Sequence, residues 1–184
     1  MHNLNIAMLE FINGGAGYYH PLDVLFVIVT SYYTLIMVGL IVTYYIGIYI
    51  PWHQEGMARI RAFRYAGMAI LAVSLATITS SIIKILVAYP RPFKTLTDLH
   101  VLITLPDSYS FPSGHATFTM ALAVVVYANH RRLGTLLFAF AFVVGLSRVY
   151  VGVHYPIDVG VGFLIGYFIP KLFQLKGAFE KKVI

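Results

Sequence analysis

The chain has 184 residues, of which 59% are hydrophobic and 11% charged, and its mean hydropathy is +0.80. So few charges on so short a chain cannot cover a water-facing surface, which excludes an ordinary soluble domain and makes lipid part of the solvent. The net charge of +6 is scattered among apolar segments, which favours membrane topology over nucleic acid, and the lack of cysteine excludes disulfides and thiolate metal sites.

The first segment, Met1–Tyr19, lacks the basic start and continuous apolar core of a signal peptide. Leu4, Ile6, Met8, Leu9, Phe11 and Ile12 are expected on one face of a short helix lying at the membrane surface, ended by Gly14, Gly15 and Gly17. No catalytic part is expected of residues 1–20. Five apolar stretches follow as candidate spans: Leu22–Ile50, Ala62–Ala88, His115–Tyr127, Leu133–Val151 and Ile157–Phe173. The third and fifth are short against the roughly 20 residues a helix needs to cross a bilayer. Gly160, Gly162 and Gly166 in the last stretch suit close helix packing. The expectation is one all-α domain over residues 1–184, a polytopic transmembrane bundle of about five to six membrane helices.

Alternating the spans sorts the charges. One face receives Arg59, Arg61, Arg64, Arg131, Arg132, Lys171, Lys176, Lys181 and Lys182; the other receives Lys84, Arg91, Lys94 and Arg148 with the N-terminus. The positive-inside rule puts the first set, and the C-terminus, in the cytoplasm. Tyr44, Tyr45, Tyr49 and Trp52 fit an aromatic belt on that side. The outward face also holds His100, His115, His154, Asp98, Asp107 and Asp158.

Three outward helix ends carry polar groups that lipid disfavours. Lys84 lies about one turn inside its helix, where snorkelling to the interface is one reading. Arg91 stands between Pro90 and Pro92, which end that helix, and two cations at one mouth repel unless an anion joins them. In Phe111-Pro112-Ser113-Gly114-His115, Ser113 is a good N-cap and Gly114 lets backbone approach a ligand. The helix N-terminus favours anions, and His115 has an ordinary pKa near neutrality; a plain cap with a surface histidine is the alternative. In the third cluster, Arg148 closes one span and Pro156 begins the next. His154 lies just outside that helix and Asp158 lies in its first turn. Asp158 either binds one imidazole nitrogen, leaving the other nucleophilic, or complements the helix dipole. Together, three cations and a helix N-terminus describe a phosphate cradle, and the histidines describe a nucleophile and a proton donor.

Lys84-x6-Arg91-Pro92, Pro112-Ser113-Gly114-His115 and Ser147-Arg148-x5-His154-x3-Asp158 resemble, in order and spacing, the three motifs of the type-2 phosphatidic acid phosphatase superfamily. The resemblance runs from about Ser80 to Gly166 and marks residues 80–166 as the catalytic core. It implies a phosphatase without metal or cofactor in which His154 attacks phosphorus, Asp158 orients it and His115 protonates the leaving group. Lys84, Arg91, Ser113, Gly114 and Arg148 would bind the phosphate. The implied substrate is a lipid phosphate or diphosphate in a bacterial cytoplasmic membrane, with the site on the periplasmic or exterior side and no nucleic-acid partner. Undecaprenyl diphosphate is favoured. Phosphatidylglycerol phosphate, phosphatidic acid and lipid A phosphatases or phosphotransferases are the alternatives. Lys94, Asp98, His100 and Asp107 either shape a headgroup pocket or are solvated loop residues. An anion transporter would share the intramembrane cations without needing the histidines, and a non-catalytic lipid-binding protein would not need the full motif set.

Overall fold

The structure, a computed structural model, describes residues 2–49, 56–104, 108–175, with side chains omitted at 2, 40–49, 56–66, 174 and 175. Seven helices follow in chain order: α1 (His2–Asn13), α2 (His20–Tyr49), α3 (Gly56–Val87), the single turn α4 (Pro92–Thr95), α5 (Gly114–Asn129), α6 (Arg131–Tyr150) and α7 (Pro156–Leu175). No strand occurs among the described residues, so the all-α expectation holds. The expected belt of Tyr44, Tyr45, Tyr49 and Trp52 lies outside the described side chains, as do Arg59, Arg61, Arg64, Asp107, Lys176, Lys181 and Lys182.

Four helices among the described residues are long and apolar enough to cross a membrane, over His20–Gly39, Gly67–Thr95, Arg131–Tyr150 and Pro156–Phe173. The third expected span, His115–Tyr127, falls in α5, which has only 16 residues. At about 1.5 Å per residue it falls short of the roughly 30 Å hydrocarbon core. Nine of its residues are buried, because α3, α6 and α7 all pack around it. A helix wrapped by protein has no need to match the bilayer, and that explains its length.

Helix punctuation fixes the chain's path. Ala88 turns left-handed at φ +49 beyond α3, and Pro90 and Pro92 prevent continuation. Ser113 caps α5 with its hydroxyl toward the Ala116 N–H at 3.5 Å. His130 alone joins α5 to α6, and residues 151–155 join α6 to α7. Consequently α3 and α6 finish, and α5 and α7 begin, at one end of the bundle. Arg131, Arg132 and Lys171 lie toward the other end.

Small residues let α5 and its neighbours approach closely. A side chain at Gly162 would stand 2.6 Å from the Ser113 carbonyl, and one at Gly166 would stand 2.4 Å from that of Thr117. Gly160 departs from the packing expected of it, since nothing lies within 4 Å of its added carbon.

The first helix also differs from expectation. Its apolar residues form two stripes rather than one face: Leu9 is buried with Ile6 and Ile12 packed beside it, whereas Leu4, Met8 and Phe11 are exposed. Positions 4, 8 and 11 follow helical spacing on one side and 6, 9 and 13 on the other. The helix is therefore docked on the bundle while keeping an apolar outer stripe.

Candidate active site

All eight residues singled out in the sequence gather at the end where α5 and α7 begin. His154 and Asp158 are both buried, and they meet at the start of α7. The Asp158 Oδ2 atom takes the Tyr155 N–H at 2.9 Å and lies 3.2 Å from His154 Nδ1. The first contact is the helix-start bond in which an acid at the third helical position reaches back to the cap residue. One oxygen of Asp158 thus closes the first turn of α7 and faces the His154 ring.

A serine outside the motifs joins them. Ser110 is fully buried, its hydroxyl donates to Asp158 Oδ2 and lies 3.4 Å from His154 Nδ1. On the opposite edge of the imidazole, Nε2 faces Arg91 Nη1 at 3.4 Å. A guanidinium only donates, so this pairing assigns the neutral tautomer with its proton on Nδ1 and its lone pair on Nε2. Burial first, then the positive charges of Arg148, Arg91 and Lys84, holds His154 well below the ordinary histidine range. A neutral imidazole with one nitrogen oriented and the other unprotonated is a nucleophile's geometry.

Three cations surround it. Arg91 Nη1 donates to the Val153 carbonyl at 3.0 Å, Nε to the Ser108 carbonyl at 3.1 Å and Nη2 to the Ser108 hydroxyl at 2.7 Å. Lys84 Nζ donates to the carbonyls of Tyr109 and Ser110 at 3.1 and 3.0 Å. It points inward to these carbonyls instead of snorkelling outward. Arg148 donates from Nη1 to the Thr30 hydroxyl, and its buried Nε has no partner among the described residues. Aside from His154, every described hydrogen-bond partner of these cations is a neutral oxygen. One carboxylate among three fixed cations leaves a site that attracts an anion.

His115 stands at the first turn of α5, half-buried, with its ring 4.4 Å from that of Tyr33 on α2. It follows Ser113 by two positions, at the same helix start that Asp158 touches through the Ser113 N–H. Ser113 is buried, and its N–H donates to the Asp158 carbonyl at 3.0 Å. Open space surrounds Gly114, where an added carbon meets nothing within 4 Å. Among the loop residues, Lys94, Asp98 and His100 are exposed, and the His100 ring packs edge-on against Tyr18 at 5.6 Å. Among the described residues, no three His, Asp or Glu side chains gather to hold a metal ion.

Sequence reasoning missed Ser110, Ser108, Thr30 and Tyr33. Their partners lie 17 to 118 positions away in the hydrogen-bonded cases, so no local pattern marks them. Only Ser110's place three residues before Ser113, in the approach to the helix, hinted at the site.

A helical bundle with imidazole, carboxylate and three cations at one set of helix ends defines a class, and the chain belongs to it. The family model described as the PAP2 superfamily matches residues 65–175, more than half of the chain. Among individual relatives, the undecaprenyl-diphosphatase BcrC of Bacillus subtilis is 29% identical over 170 residues, covering 92% of this chain and 82% of that one. The bacitracin transport permease protein BcrC of Bacillus licheniformis is 37% identical over 98 residues, 53% of this chain. The chain spans about half of that relative's length, 48%. Among solved structures, LpxE of Aquifex aeolicus matches with a TM-score of 0.69 and 27% identity, covering 94% of this chain and 95% of that one.

Proposed function

We propose that this integral membrane protein hydrolyses a lipid phosphate or diphosphate through a phosphohistidine, with undecaprenyl diphosphate as the favoured substrate. The observation that carries the reading is the His154 imidazole, held by Asp158 on one nitrogen and turned toward Arg91 with the other, amid three cations. Membership of the PAP2 superfamily and the name of the Bacillus subtilis relative support the substrate class. Phosphatidylglycerol phosphate, phosphatidic acid and lipid A remain the alternative lipids.

In the first step His154 Nε2 attacks phosphorus and forms a P–N bond as the P–O bond to the leaving group breaks. His115 gives that oxygen its proton. Asp158 stabilises the imidazolium as positive charge develops on His154. Lys84, Arg91 and Arg148, with Ser113 and the Gly114 N–H, hold the phosphoryl oxygens where charge accumulates. In the second step His115 takes a proton from water, whose oxygen attacks phosphorus while the P–N bond breaks. Inorganic phosphate leaves and both histidines are restored.

The whole chain forms one membrane domain in this reading, with residues 80–166 as its core, residues 1–20 at the interface and the short α5 as the fifth membrane helix. Arg131, Arg132 and Lys171 at the far end support a cytoplasmic far side and C-terminus, with the site facing the exterior of a bacterial cytoplasmic membrane.

The test is a panel of lipid phosphates and diphosphates incubated with purified protein, with and without excess EDTA. Release of phosphate is expected to survive EDTA and to disappear in His154→Ala. Full turnover by a folded His154→Ala protein would remove the nucleophile from the scheme. The Bacillus licheniformis relative's name raises transport as a second reading. Solute flux in proteoliposomes with no phosphate release would favour it.

A further inference from the structure

Asn13, the last residue of α1, is almost wholly buried and uses both ends of its amide. Its Nδ2 donates to the Tyr150 carbonyl at 2.7 Å and to the His100 carbonyl at 2.8 Å, while its Oδ1 accepts from the His100 N–H at 2.9 Å. The partners belong to two separate segments. Tyr150 closes α6, two residues after Arg148 and four before His154. His100 lies in the segment 96–104 that follows α4, and the segment 108–113 ahead of α5 supplies Ser108 to Arg91 and Ser110 to Asp158.

The junction is tight on every side. Gly152 adopts φ +78, and a side chain there would stand 3.0 Å from the His100 carbonyl and 3.3 Å from Asn13 Nδ2. Leu102 N–H reaches the Val151 carbonyl at 3.4 Å. Just beyond, the Arg148 carbonyl accepts the N–H groups of both Val153 and His154 at 3.2 Å. The chain from Tyr150 to His154 is therefore short and taut, and Asn13 fixes one end of it against the segment 96–104.

We propose that Asn13 is a positioning residue for the phosphatase reaction. It ties the α6–α7 turn at Tyr150 to His100 in the segment 96–104, so that His154 at the other end of the turn meets Ser110 and Arg91 in register. The inference rests on the reading of His154 as nucleophile. The family model begins at residue 65 and the three motifs lie beyond it, so neither assigns a role to residue 13. A side-chain amide suits the task because it can bond a carbonyl and an N–H of one residue and a carbonyl of another at once.

The groups facing His154 are Asp158 on α7, Arg148 on α6, Arg91 beside α4, Lys84 on α3, His115 on α5 and Ser110 ahead of α5. Loosening the turn moves the imidazole away from Arg91 and admits water, and both changes raise its pKa.

The experiment compares Asn13→Ala with Leu9→Ala in the full-length protein. Leu9 shares the buried stripe of α1 and clusters with Val149 and Tyr155 through apolar contact, without the hydrogen bonds that Asn13 makes to His100 and Tyr150. Both variants should lose thermal stability. Asn13→Ala should also lose about tenfold or more in kcat per folded protein with KM within about twofold, and its His154 C2-proton titration should move up toward the ordinary histidine value. Leu9→Ala should keep both near wild type. An unchanged kcat and an unmoved titration in folded Asn13→Ala would overturn the proposal, as would equal losses of kcat in the two variants. If Asn13→Ala does not fold, Asn13→Ser is measured by the same two readings. If wild-type protein releases no phosphate from any lipid, the phosphatase reading fails by itself, and the titration alone decides whether Asn13 sets His154.

Discussion

Where α5 begins, Ser113, Asp158, His154, Ser110 and three cations crowd into a buried polar cluster in which Asp158 Oδ1 and Arg148 Nε have no partner among the described residues. Where α5 ends, the contacts are apolar and very close. Met37, Ala123, Val126 and Leu137 form one buried group, and a side chain at Gly134 would stand 2.3 Å from the Tyr127 Cα. The first end gathers three cations about one carboxylate, an arrangement that favours a bound anion. The second end is held together by apolar packing. Chemistry and stability are therefore built into opposite ends of one short helix, and substitutions should separate them.

The largest expected effect is at the polar end. Asp158→Asn should lower kcat by about 10³–10⁴, because an amide leaves the His154 tautomer unfixed and the imidazolium unstabilised. Thermal denaturation should show a folded protein, and single-turnover phosphate release would measure the loss. Turnover near wild type would end the separation argued above. Ser110→Ala should cost about 10–100-fold in kcat, the effect of one hydrogen bond to a charged group, roughly 1.5–3 kcal/mol.

Gly134→Ala tests the other end. Its methyl group must push apart the α5 and α6 backbones, at a cost of about 1–3 kcal/mol of stability. The melting temperature should fall while kcat per folded molecule stays near wild type. A kcat loss at constant stability would blur the division between the ends. The smallest effect is a shift in pH. Because the proposed attack needs His154 unprotonated, kcat/KM should fall on the acid side as it gains a proton, with a midpoint below the ordinary histidine value. Lys84→Met removes one of the repelling cations, so the imidazolium forms more readily and its pKa rises. The acid limb should then move to higher pH, by roughly one unit or less.

Much of this was legible in the sequence because the polar groups sit at helix ends, where Pro90, Pro92, Pro112, Ser113 and Pro156 punctuate the apolar runs. Each motif keeps its parts close together in sequence, and His154 and Asp158 are only one helical turn apart. The partners that complete the site were not legible for the converse reason. Ser110 lies 48 positions from Asp158, Thr30 lies 118 from Arg148, and Asn13 lies 137 from Tyr150. Composition reported that α1 was apolar but not that its two stripes face different surroundings. It also counted α5 as a span without signalling that α3, α6 and α7 enclose it.

Asp158 Oδ2 ties off the opening turn of α7 and steadies the His154 ring with the same atom. Winding the last helix and arming the imidazole are consequently a single event. A nascent chain whose final helix has not yet settled against its neighbours carries a histidine that is solvated, untuned and chemically quiet. In the proposed reaction, attack on a phosphate ester therefore waits for the last helix to be in place.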